Sequence, residues 1–108
     1  MTMNEIVVLC TTDTIELAKN IARELVREKE AACVNILPGM SSIYRWEGKI
    51  CEDNECLLVI KSCKTKFDLI QARIKKLHTY TTPEIIAIPI EAGDAAYLDW
   101  LRSSIDES

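Results

Sequence analysis

The chain has 108 residues, of which 48% are hydrophobic and 28% are charged, and its formal net charge is −4 at pH 7. This profile predicts a single globular domain over residues 1–108 and excludes a disordered or collagen-like chain. The acidic balance also argues against a nucleic-acid partner, because phosphate binding needs a positive field.

The beginning of the chain and its apolar runs predict where the protein resides. Residues 1–5 form neither a basic nor an apolar region, so no signal peptide is expected. No apolar run approaches the ~20 residues of a membrane span. The five cysteines are an odd number and are interpreted as reduced thiols. The sequence therefore predicts a cytoplasmic protein with no membrane partner.

The chain opens with a predicted strand and a predicted helix. The continuous apolar run 6–10 is typical of a strand that is buried on both faces. Thr12 or Asp13 is expected to begin the helix, since Asp13 and Glu16 form a capping-box pattern. Apolar residues then recur at intervals of three and four through residue 26, which predicts an amphipathic helix lying on a sheet.

A long hairpin is predicted next. Residues 33–46 read as a strand that is interrupted at Pro38 and Gly39, and a turn at 47–48 leads into a third strand that is most apolar at 57–60. Fourteen residues extended at ~3.3 Å each span roughly 45 Å, far more than the first strand. The distal part, with Trp46, is therefore expected to overhang its sheet and to pair with a neighbouring copy.

The second half contains a helix, a strand and a closing helix. Thr65 with Asp68 is expected to cap the second helix, 84–90 to form the fourth strand, and Asp94 to cap the last helix.

The order β-α-β-β-α-β with a closing helix predicts an α+β, ferredoxin-like fold. Pro38 and Pro89 lie in the second and fourth strands, and proline is tolerated at sheet edges and bulges. The first and third strands contain no proline and are more continuously apolar. The sequence therefore predicts an antiparallel sheet of order 4-1-3-2 with the helices packed on one face.

The cysteines do not show the pattern of a structural zinc site. Such sites usually contain two pairs separated by two to four residues, and here only Cys51 and Cys56, with four residues between them, have such a spacing. Cys51, Cys56 and Cys63 are five and seven residues apart, so neighbouring pairs face opposite sides of a regular strand. Each of them is interpreted as a small packed hydrophobic residue.

Cys10 and His78 form the candidate metal site. Cys10 ends the first strand, and the antiparallel fourth strand is predicted to begin beside it, near residues 83–84. His78, the only histidine in the chain, lies six residues before that strand. Thiolate and imidazole are ligands that suit copper or zinc. The alternative is a histidine that is hydrogen-bonded at a helix C-terminus beside an inert cysteine.

Two further patterns lead to no catalytic prediction. A Cys–His nucleophile needs an orienting third group and oxyanion donors, and the sequence indicates neither. A basic run over 61–76 is interpreted as a solvated helix face, with attraction of an anionic ligand as the alternative. We therefore expect no enzymatic activity.

Four segments together closely resemble the CutA divalent-cation-tolerance family. They read AACVNILPG at 31–39, SIYRWEGK at 42–49, HTYTTPEIIA at 78–87 and YLDWL at 97–101. The resemblance covers residues 5–102. It departs from the family at Thr79, where proline is common, and at Leu77, where some members carry a second histidine.

The resemblance implies a homotrimer similar in architecture to PII-type signalling proteins and involved in tolerance to divalent metal ions. Copper binding is attributed to such proteins, and the matching positions here are Cys10 and His78. Cys33 is also a hallmark of the family, and packing explains it equally well. A trimeric regulatory or scaffold module that binds a small ligand or a partner protein is the alternative function.

Overall fold

The computed structural model describes residues 4–106, which form four strands, three α-helices and one 3₁₀ turn. The elements in chain order are β1 Glu5–Thr12, α1 Ile15–Arg27, β2 Cys33–Trp46, β3 Lys49–Cys63, the 3₁₀ turn Lys64–Lys66, α2 Phe67–Leu77, β4 Ile86–Pro89 and α3 Ala95–Ile105. No helix in this part of the chain is long and apolar enough to cross a membrane.

The strands form one antiparallel sheet of order β2-β3-β1-β4, which confirms the predicted order. The central strand β1 pairs with β3 along its whole length, from Glu5 opposite Cys63 to Thr12 opposite Cys56. On its other side β1 pairs with only the four residues of β4, which is shorter than the predicted 84–90. The more continuously apolar strands are therefore the inner ones.

Helices α1 and α2 cover one face of the sheet, which we call the helix-covered face. Side chains alternate between the faces of a strand, so every second residue of β1 and β3 points toward these helices. Ile21 and Leu25 of α1 and Ile70 and Ile74 of α2 are fully buried there. The strand residues of this core are Ile6, Val8, Cys10, Cys56, Leu58 and Ile60.

Helix α3 packs on the opposite face, so the expectation that all helices share one face is wrong. Its buried residues Leu101 and Ile105 contact Cys63, in a cluster separate from the main core. Cys63 is three residues beyond Ile60 on β3 and therefore points away from α1 and α2. We call this second side the open face, because α3 covers only its Cys63 end.

The cap of the first helix also differs from the expectation. The N-cap is Thr14, whose Oγ1 accepts a hydrogen bond from the Leu17 N–H at 3.1 Å. Thr12 is buried instead, and its hydroxyl donates to the Thr14 carbonyl oxygen at 2.9 Å. Asp13 precedes the cap and is exposed. Thr12 therefore stabilises the turn before the helix, and Thr14 caps the helix.

The two later helices have different starts. Thr65 does not cap α2, since it lies inside the 3₁₀ turn, and Lys66 stands at the N-cap position without a side-chain cap hydrogen bond. Asp94 caps α3 as predicted and accepts from the Tyr97 N–H at 3.1 Å. A leading turn of 3₁₀ helix therefore replaces the capping side chain in α2.

The β2–β3 hairpin extends beyond the rest of the sheet, as predicted. Pairing continues to Trp46 opposite Lys49, and the register shifts between Leu37 and Met40, where Gly39 has φ +72°. The two turn residues, 47 and 48, have φ +49° and +78°. This is the type I′ geometry that suits the twist of a tight hairpin.

A partly buried ion pair connects α2 to the segment between α1 and β2. The Glu30 carboxylate, in the segment between α1 and β2, accepts from Nε and Nη2 of Arg73 at 3.1 and 3.0 Å. The buried Ser62 hydroxyl donates to the Glu30 carbonyl oxygen at 2.6 Å. Arg73 is thus one member of the basic run that is engaged rather than freely solvated.

Candidate functional site

Cys10 and His78 meet at one backbone group, the carbonyl oxygen of Thr11. The Cys10 thiol lies 3.8 Å from this oxygen, and Nε2 of His78 lies 2.7 Å from it. Cys10 is placed there by the last residues of β1, and His78 by the end of α2, where its N–H bonds to the Ile74 carbonyl. The fold therefore brings the predicted pair into one neighbourhood.

The hydrogen bonds of His78 define its tautomer. The backbone N–H of Tyr80 donates to Nδ1 at 3.0 Å, so Nδ1 is the acceptor. Nε2 then carries the hydrogen and donates it to the Thr11 carbonyl. The ring also packs against Tyr80, with centroids 4.6 Å apart. Both ring nitrogens are therefore engaged with the backbone, as in the alternative of a hydrogen-bonded histidine.

Cys10 is equally enclosed. It is completely buried, and this burial, reinforced by the negative charges of Glu84 and Glu55, raises the pKa of its thiol to about 12. Metal binding requires the thiolate, and a thiol with this pKa is protonated at neutral pH. A metal ion would have to displace the thiol proton and a hydrogen bond of His78.

Further ligands are not preassembled around this pair. Within residues 4–106, no group of three or more His, Cys, Asp or Glu side chains is positioned to hold a metal ion. The role of Thr11, whose carbonyl joins the two residues, is not predictable from the sequence, because a backbone acceptor is present at every residue. A complete coordination shell would therefore need water or a donor from another chain.

The remaining cysteines are free thiols, and Cys51, partly exposed on the hairpin opposite Tyr44, is not part of either buried cluster. Cys56 lies in the helix-covered core and Cys63 in the α3 cluster, as expected for small hydrophobic residues. Burial and the charge of Glu5 raise the pKa of Cys63. Cys33 is partly buried opposite Lys61 in the β2–β3 pairing.

A second feature at the same end of the sheet is an open cleft of about 680 Å³. It lies between the hairpin and residues 80–84, and Thr11 forms part of its wall. The Tyr80 hydroxyl donates to Glu55 at 2.7 Å, and the Tyr44 hydroxyl donates to Asp53. Burial and the bond to Glu55 raise the pKa of Tyr80, whereas the bond to Asp53 is the main cause that raises the pKa of Tyr44 to about 12.

This cleft was not predicted from the sequence. One signal was present, since Asp53 and Glu55 are two residues apart on β3 and therefore point to the same face. Their tyrosine partners come from β2 and from the segment after α2, and no local pattern connects these regions. We call this feature the hairpin cleft.

The sheet order, the extended hairpin and the α3 helix on the open face define a class of small ferredoxin-like α+β proteins. Within this class, the chain belongs to the CutA1 divalent ion tolerance protein family, whose family model matches residues 6–104. The resemblance seen in the four sequence segments is thereby confirmed.

Individual relatives agree over nearly the whole chain. The divalent-cation tolerance protein CutA of Thermus thermophilus is 52% identical over 100 residues, which cover 93% of this chain and 97% of that protein, and its solved structure gives a TM-score of 0.91. The chloroplastic Protein CutA 1 of Oryza sativa is 45% identical over 99% of this chain, which spans only 60% of the rice protein.

Two further solved structures show the same fold. CutA1 from Oryza sativa gives a TM-score of 0.94 over 99% of this chain and 98% of the solved chain. The periplasmic divalent cation tolerance protein CutA from Archaeoglobus fulgidus is 39% identical and gives 0.92 over 94% and 99%. The predicted fold class is confirmed by these comparisons.

Proposed function

We propose that this chain acts in tolerance to divalent cations by binding copper or another divalent ion, without catalysing a reaction. Membership of the divalent ion tolerance family supports the role. The single observation that carries the site is the convergence of Cys10 and His78 on the Thr11 carbonyl. These two side chains are the proposed metal ligands.

Binding at this site exchanges hydrogen bonds for metal bonds. The ion takes the Cys10 sulfur as thiolate and one ring nitrogen of His78, which gives up its bond to Thr11 or to Tyr80. Each net hydrogen bond is worth about 0.5–1.5 kcal/mol, so the exchange lowers the affinity. Because the thiol pKa is about 12, affinity should rise with pH as the proton becomes easier to displace.

Anaerobic calorimetry with copper, supported by absorption spectroscopy, tests this site. Exclusion of oxygen is essential, since Cu(II) with air oxidises thiols and would imitate binding. We expect Cys10→Ser and His78→Ala each to weaken binding, whereas Cys56→Ser, a matched buried cysteine, should leave it unchanged. If all three variants bind copper as the wild type does, the proposed ligands are wrong.

We further propose that the chain assembles as a homotrimer, as implied by its resemblance to the family. The open face supports assembly, since Leu37, Ile86 and Ile88 are exposed on it or at its edge. The hairpin adds exposed Trp46 and Ile50 at the far end of a molecule 46 Å long. Closed rings join two different surfaces of each copy, and this chain carries two.

Light scattering at micromolar concentration tests the assembly. We expect three times the mass of the chain, and Trp46→Ala should lower the melting temperature or shift mass toward monomer. Arg45→Ala, at the neighbouring exposed position on β2, is the control. A stable wild-type monomer would contradict the proposal.

A cytoplasmic location is proposed on the free thiols, because an oxidising compartment favours disulfides. Two relatives are named as chloroplastic and periplasmic. Fractionation of cells that produce the natural full-length protein tests the proposal, and recovery from an organelle or the periplasm would contradict it.

The hairpin cleft favours a second candidate function, a regulatory module that binds a small ligand. The cleft has the volume of a ligand site, and two of its carboxylates are held by tyrosine hydroxyls. A copper titration distinguishes the candidates, because this second function needs neither Cys10 nor a metal ion.

A further inference from the structure

The charges of this acidic chain are unevenly distributed. Residues 15–30 and 64–76, which contain α1 and most of α2, hold nine of the thirteen Lys and Arg residues but only five of the seventeen Asp and Glu residues. These segments therefore carry a formal charge of +4, and the remainder of the chain carries −8. Because both helices pack on the helix-covered face, the positive charge is concentrated on one side of the molecule.

Most of the acidic side chains in these two segments are already neutralised. Glu24 forms an ion pair with Arg27, and Glu28 and Glu30 both form ion pairs with Arg73. These groups balance one another within the helical layer. The attraction of this layer for a further anion therefore depends on its remaining bases.

Four exposed bases on the two helices have no acidic partner. They are Lys19 and Arg23 of α1 and Lys75 and Lys76 of α2, and none of the four forms an ion pair within residues 4–106. Their charges are balanced only by solvent ions. We call the exposed sides of α1 and α2 that carry these four residues the basic surface.

The fold brings the two helices side by side, with the end of α2 next to the beginning of α1. The Thr79 hydroxyl, just after α2, donates to the carboxylate of Asp13, just before α1, at 3.4 Å. Lys19 and Arg23 are four residues apart and therefore neighbours on α1. Packed helices lie about 8–10 Å apart, so one extended segment of several residues can reach bases on both.

The basic surface lies outside the surfaces that we assign to assembly. It is on the side of the sheet opposite the open face, and the hairpin that carries Trp46 extends beyond the sheet rather than over the helices. A homotrimer that is closed through the open face and the hairpin would therefore leave one accessible basic surface on every copy.

The charge of the whole chain favours one class of anionic partner. A membrane or a nucleic acid extends beyond the basic surface and would be repelled by the net charge of −4 per copy. A short acidic segment of a protein can contact the bases alone, because charges more than about 8 Å away are largely screened. Leu69, which is 49% exposed, lies seven residues before Lys76 and thus on the same side of α2, where it can contact an apolar side chain.

We propose that the basic surface is a docking site for an acidic segment of a partner protein. Carboxylates of this segment pair with the four unpartnered bases, and an apolar side chain between them contacts Leu69. The docking site goes beyond the role in metal tolerance and uses neither Cys10 nor His78.

A matched pair of peptides tests the proposal. One peptide consists of glutamates around a central leucine, and the other has glutamines in place of the glutamates. Both are capped at their ends and carry the same fluorophore, so that only the charges of their side chains differ. Fluorescence anisotropy measures binding to the assembled wild-type protein. We expect saturable binding of the glutamate peptide that weakens as salt is added, and at least tenfold weaker binding of the glutamine peptide.

Substitutions then locate the site. The double variant Lys75→Gln/Lys76→Gln should weaken binding of the glutamate peptide about three- to tenfold, as expected for the loss of two exposed charge pairs. The control Arg45→Gln/Lys49→Gln removes two exposed bases of the hairpin, changes the net charge equally and should leave binding unchanged. Glu16→Gln removes an exposed carboxylate from α1 and should strengthen binding about twofold. Light scattering verifies that each variant retains the mass of the wild type.

Three outcomes would overturn the docking site: no saturable binding of the glutamate peptide, equal binding of the two peptides, or equal losses in the two double variants. Vesicles of phosphatidylcholine with phosphatidylserine represent the competing class of partner. Tighter binding to these vesicles than to the glutamate peptide, with the same dependence on Lys75 and Lys76, would replace the acidic segment by a membrane surface. Cys10→Ser should bind the peptide as the wild type does, so the copper site and the docking site stand or fall separately.

Discussion

On the helix-covered face, Leu58 and Ile60 are completely buried, whereas on the other side of the sheet Leu37, Ile86 and Ile88 remain 49%, 50% and 47% exposed. Both sets are apolar. A sheet that faces water on one side normally alternates apolar with polar residues. This sheet keeps apolar residues on both sides, although a single chain supplies a full helical cover for only one.

The difference between the faces shows which contacts each one depends on. The helix-covered face is completed within the chain by α1 and α2, so its packing contributes to the stability of a single copy. The open face has α3 at one end only. Apolar surface of this kind typically marks an interaction site. Substitutions on the two faces should therefore differ in what they disturb.

The largest expected effect comes from a matched pair of adjacent leucines. Leu58→Ala removes a fully buried side chain from the helix-covered core and should cost about 2–5 kcal/mol in the free energy of unfolding. Leu57→Ala changes the same residue type on the open face and should cost less. Urea unfolding at equal protein concentrations measures both, and equal costs at high dilution would contradict the comparison.

The second prediction concerns assembly. Ile88→Glu places a charge on the exposed side of β4, opposite Val7 of β1. Burying that charge between copies is costly, so the oligomer should dissociate while the circular dichroism of the chain is retained. Sedimentation velocity measures the mass. Glu91→Lys, outside the strands on the same segment, serves as the control, and an Ile88→Glu oligomer of wild-type mass would show that this face is not an interface.

The third prediction uses the buried thiol of Cys10, whose folded-state pKa is about 12 against an ordinary 9.0. Between these values the unfolded chain has lost the thiol proton and the folded chain retains it. The protonated thiol therefore contributes fully to the free energy of unfolding below about pH 9. This contribution is lost as pH rises toward 12, by at most about 1.4 kcal/mol per pH unit.

Cys10→Ala lacks this titration, so its free energy of unfolding should fall less steeply than that of the wild type between pH 9 and 11. Tyr44 and Tyr80 titrate in both proteins and cancel in the difference. Chemical unfolding at several pH values measures the slopes, with Cys51→Ala as a partly exposed control. Parallel curves for Cys10→Ala and the wild type would show that burial does not raise the pKa of the thiol.

Much of the fold was predictable because it depends on local signals. The apolar runs identified the inner strands, and the positions of Pro38 and Pro89 identified the edges. The cap at Asp94 follows from a side chain that reaches three residues along its own helix. The side of the sheet taken by α3 was not predictable, since it depends on Cys63 meeting Leu101 across nearly forty residues.

The candidate site was only partly predictable for the same reason. Topology alone placed His78 near Cys10, because His78 reaches the carbonyl of Thr11, the residue next to Cys10 in the chain. The engagement of both ring nitrogens depends on backbone groups, which residue identity does not reveal. The ion pair of Glu30 with Arg73 likewise joins residues 43 positions apart. From the sequence, Arg73 was therefore interpreted as part of a solvated basic helix face.

The smallest predicted effect sharpens the contrast between the sheet and its overhanging hairpin. Glu47 holds φ +49° at the turn, a left-handed conformation that disfavours most side chains and is tolerated by asparagine. Glu47→Asn should therefore stabilise the hairpin by about 0.5 kcal/mol. If the hairpin unfolds together with the sheet, this gain appears in the global free energy of unfolding. If the hairpin opens separately, the substitution slows only amide exchange near Tyr44 and Cys51. Glu52→Asn, at a position of ordinary strand geometry, is the control. A Glu47→Asn protein that is less stable than this control would contradict the assigned turn.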